Sequence, residues 1–366
     1  MQYIDLKKQF SVIEQDLRSR MDAVYKHGQF ILGPEVKEFE QAAAEYIGVK
    51  HAIGVSSGTS ALSLAMLALD IGPGDEVITT PFSFFATVEC IIIRGATPVF
   101  VDIDPQTYNI DPSKIEAAIT PKTKAIITVD LYGACPDYAR IDAIAKKHGL
   151  FVIEDAAQSF GGSQDGKKAC GFGDISCTSF FPSKPLGCFG DGGACFTDDD
   201  ALAEKIRQIS NHGQVARYQY NQIGLNARLD TMQAAVLLSK MTIFEQEIAD
   251  RQQVADWYAE HLKGVVPPTV AKNNVSAWAQ YTVEVDARDQ VQAKLKEQGI
   301  PTAIHYPETF LEMPLVQKYL LEDQAPCPEA ERAARRVMSL PFHPYMTEQE
   351  VQQVAKALAD SLVVVI

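Results

Sequence analysis

Phe10, Ile13, Leu17, Met21 and Val24 recur at intervals of three and four, a spacing that predicts an amphipathic helix near the start of the chain. Gly33-Pro34 opens a second helical pattern through Val36, Phe39 and Tyr46 to Gly48, with proline at the first helical position. Strands and helices then alternate. Short β-branched or apolar runs lie at Ala52 to Val55, Glu76 to Thr79, Pro98 to Ile103, Ala125 to Leu131, Phe151 to Asp155, Ile175 to Phe181 and Ala194 to Thr197. Helical spacing separates most of them, as at Ile141, Ile144 and Ala145 before Gly149. The alternation predicts an α/β fold whose seven-stranded sheet is mostly parallel.

After Asp199 a helix carries Leu202, Ile206 and Ile209. Asp230 then opens one unusually long helical pattern reaching nearly to Gly264, whose charged second half reads as a bridge to another body. Trp278 to Val285, a helix around Val291 and Leu295, Thr302 to Tyr306, Val337 to Pro341 and a capping-box start at Thr347 and Glu350 predict a small α+β domain. The expected division is a large domain over 1–245 and a small one over 246–366, without repeats or low-complexity tracts.

Length and charge narrow the function classes. A chain of 366 residues is long enough for two domains, and 46% hydrophobic with 22% charged residues is an ordinary globular composition. A net charge of −14 repels nucleic acid and anionic membranes, so a phosphate-bearing ligand must be held by local dipoles and a few cations. No apolar run approaches the roughly 20 residues of a membrane span, and charges run through Met1 to Phe30, so a cytosolic protein without a signal peptide is expected. Seven cysteines, odd in number and without a C-x-x-C pair, read as reduced and mostly buried thiols. The seven histidines show no metal-ligand spacing.

Ligand sites of parallel α/β sheets collect at the carboxyl ends of the strands. Three such ends carry chemistry here. Ser56-Ser57-Gly58-Thr59-Ser60-Ala61 starts a helix directly after a strand, leaving backbone N–H groups and hydroxyls facing outward as an anion cradle; taken alone, the segment reads first as an ordinary capped helix. It has neither the P-loop ending nor a dinucleotide turn. Asp155, in EDAAQ, sits at a strand terminus where a buried carboxylate needs a cation, either a helix N-terminus, a surface arginine or a protonated ring nitrogen. Lys184, in CTSFFPSKPLGCFGDGG, stands at the mouth of an interior strand. It reads as a solvated end-cap or as an amine kept partly dry, able to form a Schiff base as a neutral nucleophile. Taken together, the cradle, the carboxylate and the amine at one sheet edge meet the needs of pyridoxal 5′-phosphate (PLP): anchor, pyridinium partner and Schiff-base lysine.

With these residues the chain resembles the DegT/DnrJ/StrS family of nucleotide-sugar aminotransferases, PLP enzymes of fold type I, the aspartate aminotransferase-like fold. The likeness runs through SSGTSAL, PGDEVITTPFSFFAT, VDIDPQTYNID, EDAAQSFG, SFFPSKPLG, GDGGA, LNARLDTMQAA and SLPFHP. It implies that Lys184 carries the Schiff base and moves the proton during transfer, that Asp155 keeps the pyridine nitrogen protonated, and that Gln158 bonds the ring hydroxyl. It further implies that Phe84 stacks on the ring, that Gly58, Thr59 and Ser179 bind the phosphate, and that Asn226 reaches the phosphate of a neighbouring subunit. A homodimer with composite sites follows from the last of these.

Many members carry His or Tyr where Phe181 stands. The phenyl version resembles a narrower group that aminates the 3-keto carbon of UDP-2-acetamido-2-deoxy-3-oxo-D-glucuronate, with L-glutamate as donor, for surface polysaccharide. Within that comparison Arg228 is the candidate for the sugar carboxylate, and His305 and Tyr306 for sugar or pyrophosphate contacts; a surface Arg–Asp pair and an interior strand histidine are the plainer readings. Amination at C4 of a 6-deoxy-4-keto sugar is the alternative acceptor chemistry. A sugar dehydratase is disfavoured because such relatives replace the lysine with histidine, and a PLP-binding regulator because neither a helix-turn-helix nor a basic patch is present.

Overall fold

The computed structural model describes residues 1–363. Seven strands make one sheet: β1 (His51–Val55), β2 (Glu76–Thr79), β3 (Thr97–Phe100), β4 (Thr123–Val129), β5 (Phe151–Asp155), β6 (Ile175–Ser179) and β7 (Gly193–Thr197). Their spatial order is β1-β7-β6-β5-β4-β2-β3. The pairings from β6 through β5, β4 and β2 to β3 are parallel, whereas β7 runs antiparallel to both β6 and β1. The mostly parallel sheet is thus borne out, with one reversed strand.

Both faces of this sheet are covered, which is why its strands are apolar on both sides. Ile127, Ile153 and Ile175 point to one layer with Leu64 and Ala65 of the helix Gly58–Ala68, while Ile126 and Val152 point to the other with Ile141 and Ala145 of the helix Tyr138–His148. Several ends are shorter than the apolar runs implied: β3 stops at Phe100, β4 at Val129 and β6 at Ser179. One further backbone bond follows each end, from Val101 N–H to the Thr79 carbonyl at 2.9 Å, Asp130 N–H to the Asp155 carbonyl at 3.1 Å and Phe180 N–H to the Gly192 carbonyl at 2.8 Å, before the chain leaves the sheet to build loops at the carboxyl edge.

The long helical pattern after Asp230 is two helices, Thr231–Met241 and Phe244–His261. Two β-branched residues, Thr242 and Ile243, lie at the break, and the Thr242 hydroxyl donates to the Ser239 carbonyl at 2.7 Å, competing with the helical ladder. The turn drives Phe244 into a core against Phe160 at 5.5 Å and Tyr46 at 5.8 Å. Farther along the same helix Val254, Ala255 and Tyr258 join a separate core with Trp278, Tyr281 and Phe342, so this helix does connect two packed bodies.

The second core is capped by the antiparallel pair β8 (Tyr281–Glu284) and β9 (Val337–Leu340). Thr302 to Tyr306 is not a strand: its one ladder contact is an isolated bridge between Ala303 and Ser339. The capping box is present as read, with Thr347 N–H donating to Glu350 at 2.9 Å and Glu350 N–H to the Thr347 hydroxyl at 3.3 Å. All seven cysteines are free and buried. Among the described residues no helix is long and apolar enough to cross a membrane, and no group of three or more metal-ligating side chains converges.

Phe244 is the pivot of the broken helix and is almost wholly buried. Replacing it with alanine should cost about 3–5 kcal/mol in urea unfolding, the range for emptying an aromatic core position; a loss below about 1 kcal/mol would mean the surrounding rings do not depend on it.

Candidate active site

The carboxyl ends of β1, β5 and β6 bring the three predicted elements to one edge. Ser57 caps the helix Gly58–Ala68, its hydroxyl accepting from Ser60 N–H at 3.0 Å, while the Ser56 and Ser57 hydroxyls each lie within 2.9 Å of the Ser60 hydroxyl. Gly58 opens the helix where the end of β6 passes so close that a Cβ would meet Ser179 Cβ at 2.7 Å. A side chain there would fill the space over the first helical N–H groups. Gly58, Thr59 and Ser179 therefore line one cradle at a helix N-terminus, suited to a phosphate.

Neighbouring residues at the end of β5 do opposite jobs because strand side chains alternate in direction. Glu154 turns to the face away from the site, where its carboxyl oxygens accept Cys170 and Phe172 N–H at 2.8 Å. Beside it Asp130 accepts the Ser159 and Tyr138 hydroxyls, each at 2.7 Å. Burial pushes Asp130 up to about 6 and Glu154 well above the carboxylate range. This network pins the Asp155–Ser159 turn from behind.

Asp155 faces the site and is 5% exposed. Burial raises its carboxyl; the Thr87 hydroxyl, donating to Oδ2 at 2.8 Å, the Ala157 N–H at 3.3 Å and the charge of Lys184 oppose that rise. Lys184 is half-buried, its backbone N–H tied to the Phe181 carbonyl at 2.9 Å. Burial brings its amine down to about 8, with Asp155 pulling the other way. An amine at that value has a substantial neutral fraction near physiological pH, which a solvated end-cap lacks.

Around this pair stand the remaining candidates. Gln158 is buried, its Oε1 held by Tyr132 N–H at 2.9 Å, so that its amide nitrogen points to the Tyr306 hydroxyl at 3.4 Å. Phe84 is 57% exposed, its ring centroid 6.3 Å from that of Tyr306, and offers an open aromatic face. His305 Nδ1 is 2.9 Å from the Ser339 hydroxyl, and the Tyr132 hydroxyl bonds the His305 carbonyl. Burial, helped by the Lys184 charge, lowers His305 to about 4, leaving it neutral at working pH. Tyr132, Ser339 and Thr87 were not singled out from sequence. Thr87 lies inside the PFSFFAT segment, three residues after Phe84, and that placement is the signal that could have found it.

Asn226 and Arg228 are set apart. They pair with each other at 2.7 Å, and Arg228 reaches Asn211 at 2.8 Å. Arg228 makes a bridge to Val55 at the end of β1, so both residues belong to the same sheet edge. Among the described residues no hydrogen bond joins either of them to Lys184, Asp155, His305 or Tyr306. Asn226 is exposed, and Arg228 Nε is buried without a partner.

The buried carboxylate, the desolvated amine and the glycine-lined cradle fit PLP: each of its three recognition features meets a matching group, and the open ring of Phe84 completes the slot. Comparison with known proteins agrees. Residues 11–359 match the profile of the DegT/DnrJ/EryC1/StrS aminotransferase family. The chain is 52% identical, over 98% of its length and 100% of the relative's, to the UDP-2-acetamido-2-deoxy-3-oxo-D-glucuronate aminotransferase of Pseudomonas aeruginosa. A crystal structure of a DegT/DnrJ/EryC1/StrS aminotransferase from Brucella abortus superposes with a TM-score of 0.96 at 43% identity, covering 99% of each chain. A Bacillus subtilis protein solved with the bound cofactor PMP superposes with a TM-score of 0.88 at 34% identity, covering 99% of this chain and 83% of that one.

The depressed amine is directly measurable. In cofactor-stripped protein, labelling of Lys184 by an amine-selective reagent should rise with pH through a midpoint at about 8 and then level off. A rate still climbing near pH 10, as for a free lysine at about 10.4, would show the amine to be solvated.

Proposed function

The chain belongs to the DegT/DnrJ/EryC1/StrS aminotransferase family, and from that footing we propose that it moves the amino group of L-glutamate to the 3-keto carbon of UDP-2-acetamido-2-deoxy-3-oxo-D-glucuronate. It is a PLP-dependent transaminase. The observation that carries the chemistry is the desolvated Lys184 amine at the same sheet edge as the buried Asp155 carboxylate. The acceptor is supported by the full-length similarity to the Pseudomonas aeruginosa enzyme of that name.

When bound, PLP supplies an electron sink conjugated to the nitrogen being transferred. The chain supplies the rest. Lys184 would be the attachment point, and its Nζ would take the proton from the donor's α-carbon and return one at the other end of the transfer. Asp155, 5% exposed, would keep the ring nitrogen protonated by charge pairing. Gln158, with its oxygen occupied by Tyr132, presents its amide N–H to the ring hydroxyl. Phe84 would stack on the ring, and Gly58, Thr59 and Ser179 would hold the phosphate.

Asn226 and Arg228 are given to the neighbouring subunit's site, Asn226 for the phosphate and Arg228 for the sugar carboxylate, whose two oxygens match a guanidinium fork. The bonding of both to each other, away from Lys184, supports this assignment. The exposed apolar side chains on the stretch that precedes them support it as well: Ile223 is 89% exposed and Leu225, Tyr218 and Tyr220 are also exposed, available to a partner subunit. A homodimer with composite sites is the outcome. His305 and Tyr306 contact the sugar or its pyrophosphate. The domain boundary falls near residue 245, ahead of the helix segment that enters the second core. The enzyme works in the cytoplasm, where its seven thiols stay reduced, making an amino sugar for a surface polysaccharide such as O-antigen.

Two measurements test the reading. Addition of L-glutamate should bleach the yellow holoenzyme, and only a 3-keto uronate nucleotide from a panel of UDP- and dTDP-keto-sugars should restore the colour; restoration by a neutral 4-keto-6-deoxy sugar instead would overturn the acceptor assignment. Arg228→Ala should lower kcat/KM for the uronate by about tenfold or more while sparing a neutral analogue, as expected for a charge-assisted bond. An equal loss on both would remove the carboxylate role.

A further inference from the structure

We infer that Thr87 and, behind it, Ser83 form a hydroxyl relay that orients and ionises Asp155, making Thr87 the positioning residue for the cofactor's ring nitrogen. This inference rests on the reading of the site given above. Thr87 is fully buried and Ser83 nearly so. Thr87 Oγ1 is 2.8 Å from Asp155 Oδ2 and 2.9 Å from Ser83 Oγ. A hydroxyl has one hydrogen, and an ionised carboxylate only accepts. Thr87 therefore donates to Asp155, and Ser83 must donate to Thr87, which fixes the direction of the chain.

The two carboxylate oxygens are then unequal. Oδ2 is held by a short hydroxyl bond, whereas Oδ1 has only the Ala157 N–H at 3.3 Å. Oδ1 is the oxygen left to meet a protonated ring nitrogen. The same turn carries Phe84: Thr87 N–H donates to the Phe84 carbonyl at 3.1 Å, so one hydrogen-bonded unit sets both the aromatic face and the carboxylate.

Of the groups around Asp155, Cys90 from the helix Ala86–Ile93 is pushed up to about 12 and Cys177 of β6 and the Tyr306 phenol are raised as well, while Lys184, the cation acting on it among the described residues, titrates at about 8, above the acid limb. Glu154 and Asp130 lie on the opposite face of the sheet. Burial pushes Asp155 towards its neutral form, in which it cannot pair with a pyridinium; the Thr87 hydroxyl is the first of the forces opposing this. Losing that donor raises the carboxyl, so its ionised form is lost at a higher pH than in the wild type.

The test is the affinity of apoenzyme for PLP, followed by tryptophan fluorescence from pH 5 to 8.5, in wild type, Thr87→Val, Thr87→Ser and Ser83→Ala, with kcat and KM measured alongside. Valine keeps the shape and removes the hydroxyl. Thr87→Val should weaken PLP binding at pH 6 by about tenfold or more and move the acid limb up by about one pH unit, the effect of one bond to a charged group. Its kcat should fall more than its KM rises. Thr87→Ser should stay within about threefold of wild type, and Ser83→Ala should fall between. An unshifted acid limb in Thr87→Val, or equal impairment of the valine and serine variants, would overturn the relay. If wild type itself took up no PLP, the reading of the site would fail instead.

Discussion

The site depends on keeping one amine and one carboxylate out of water at the same sheet edge. Each is disfavoured there in its charged form, and each is the other's counter-charge. The balance leaves Lys184 near 8 and Asp155 raised but supported by a hydroxyl and a backbone N–H. Full solvation would leave the amine protonated and inert; complete burial without a partner would strip the carboxylate of the charge it needs. The architecture serves this intermediate condition. Parallel strands deliver both groups to their carboxyl ends, and a close-packed cradle at Gly58 and Ser179 leaves room for an anion beside them.

The supporting structure is arranged around that edge. Behind Asp155, the Asp130 and Glu154 carboxyls anchor the turn to the opposite layer through Ser159, Cys170 and Phe172. His305 and Tyr306 reach in as well, held by Ser339 of β9 and by the Tyr132 hydroxyl, with Tyr306 packed on the cluster of Phe82 and Tyr132. The helix Phe244–His261 links the two cores.

Much of this was legible in the chain because periodicity reports burial. All seven strands lie where the apolar runs placed them, and helix starts at Pro34 and Thr347 follow their local signals. Failures came where local chemistry overrides periodicity. Helical spacing continues unbroken from Met232 to Ile248, yet Thr242 and Ile243 end one helix and turn the next, because Phe244 gains more in the core than the ladder loses. Thr302 to Tyr306 is strand-like in composition but keeps a single bridge, its backbone being committed to the site. Lys184 and Asp155 were readable because a charge at a strand end needs a reason. Thr87 was not, since a threonine among phenylalanines has the look of packing until its hydroxyl is found 2.8 Å from the carboxylate. Arg228 and Asn226 were readable only through family likeness, as their bonds within one chain point away from Lys184.

The most direct measurement of the central claim is borohydride reduction of the yellow holoenzyme followed by peptide mapping. A pyridoxyl group recovered on Lys184 alone is the predicted result; recovery on another lysine, or on none, would contradict it.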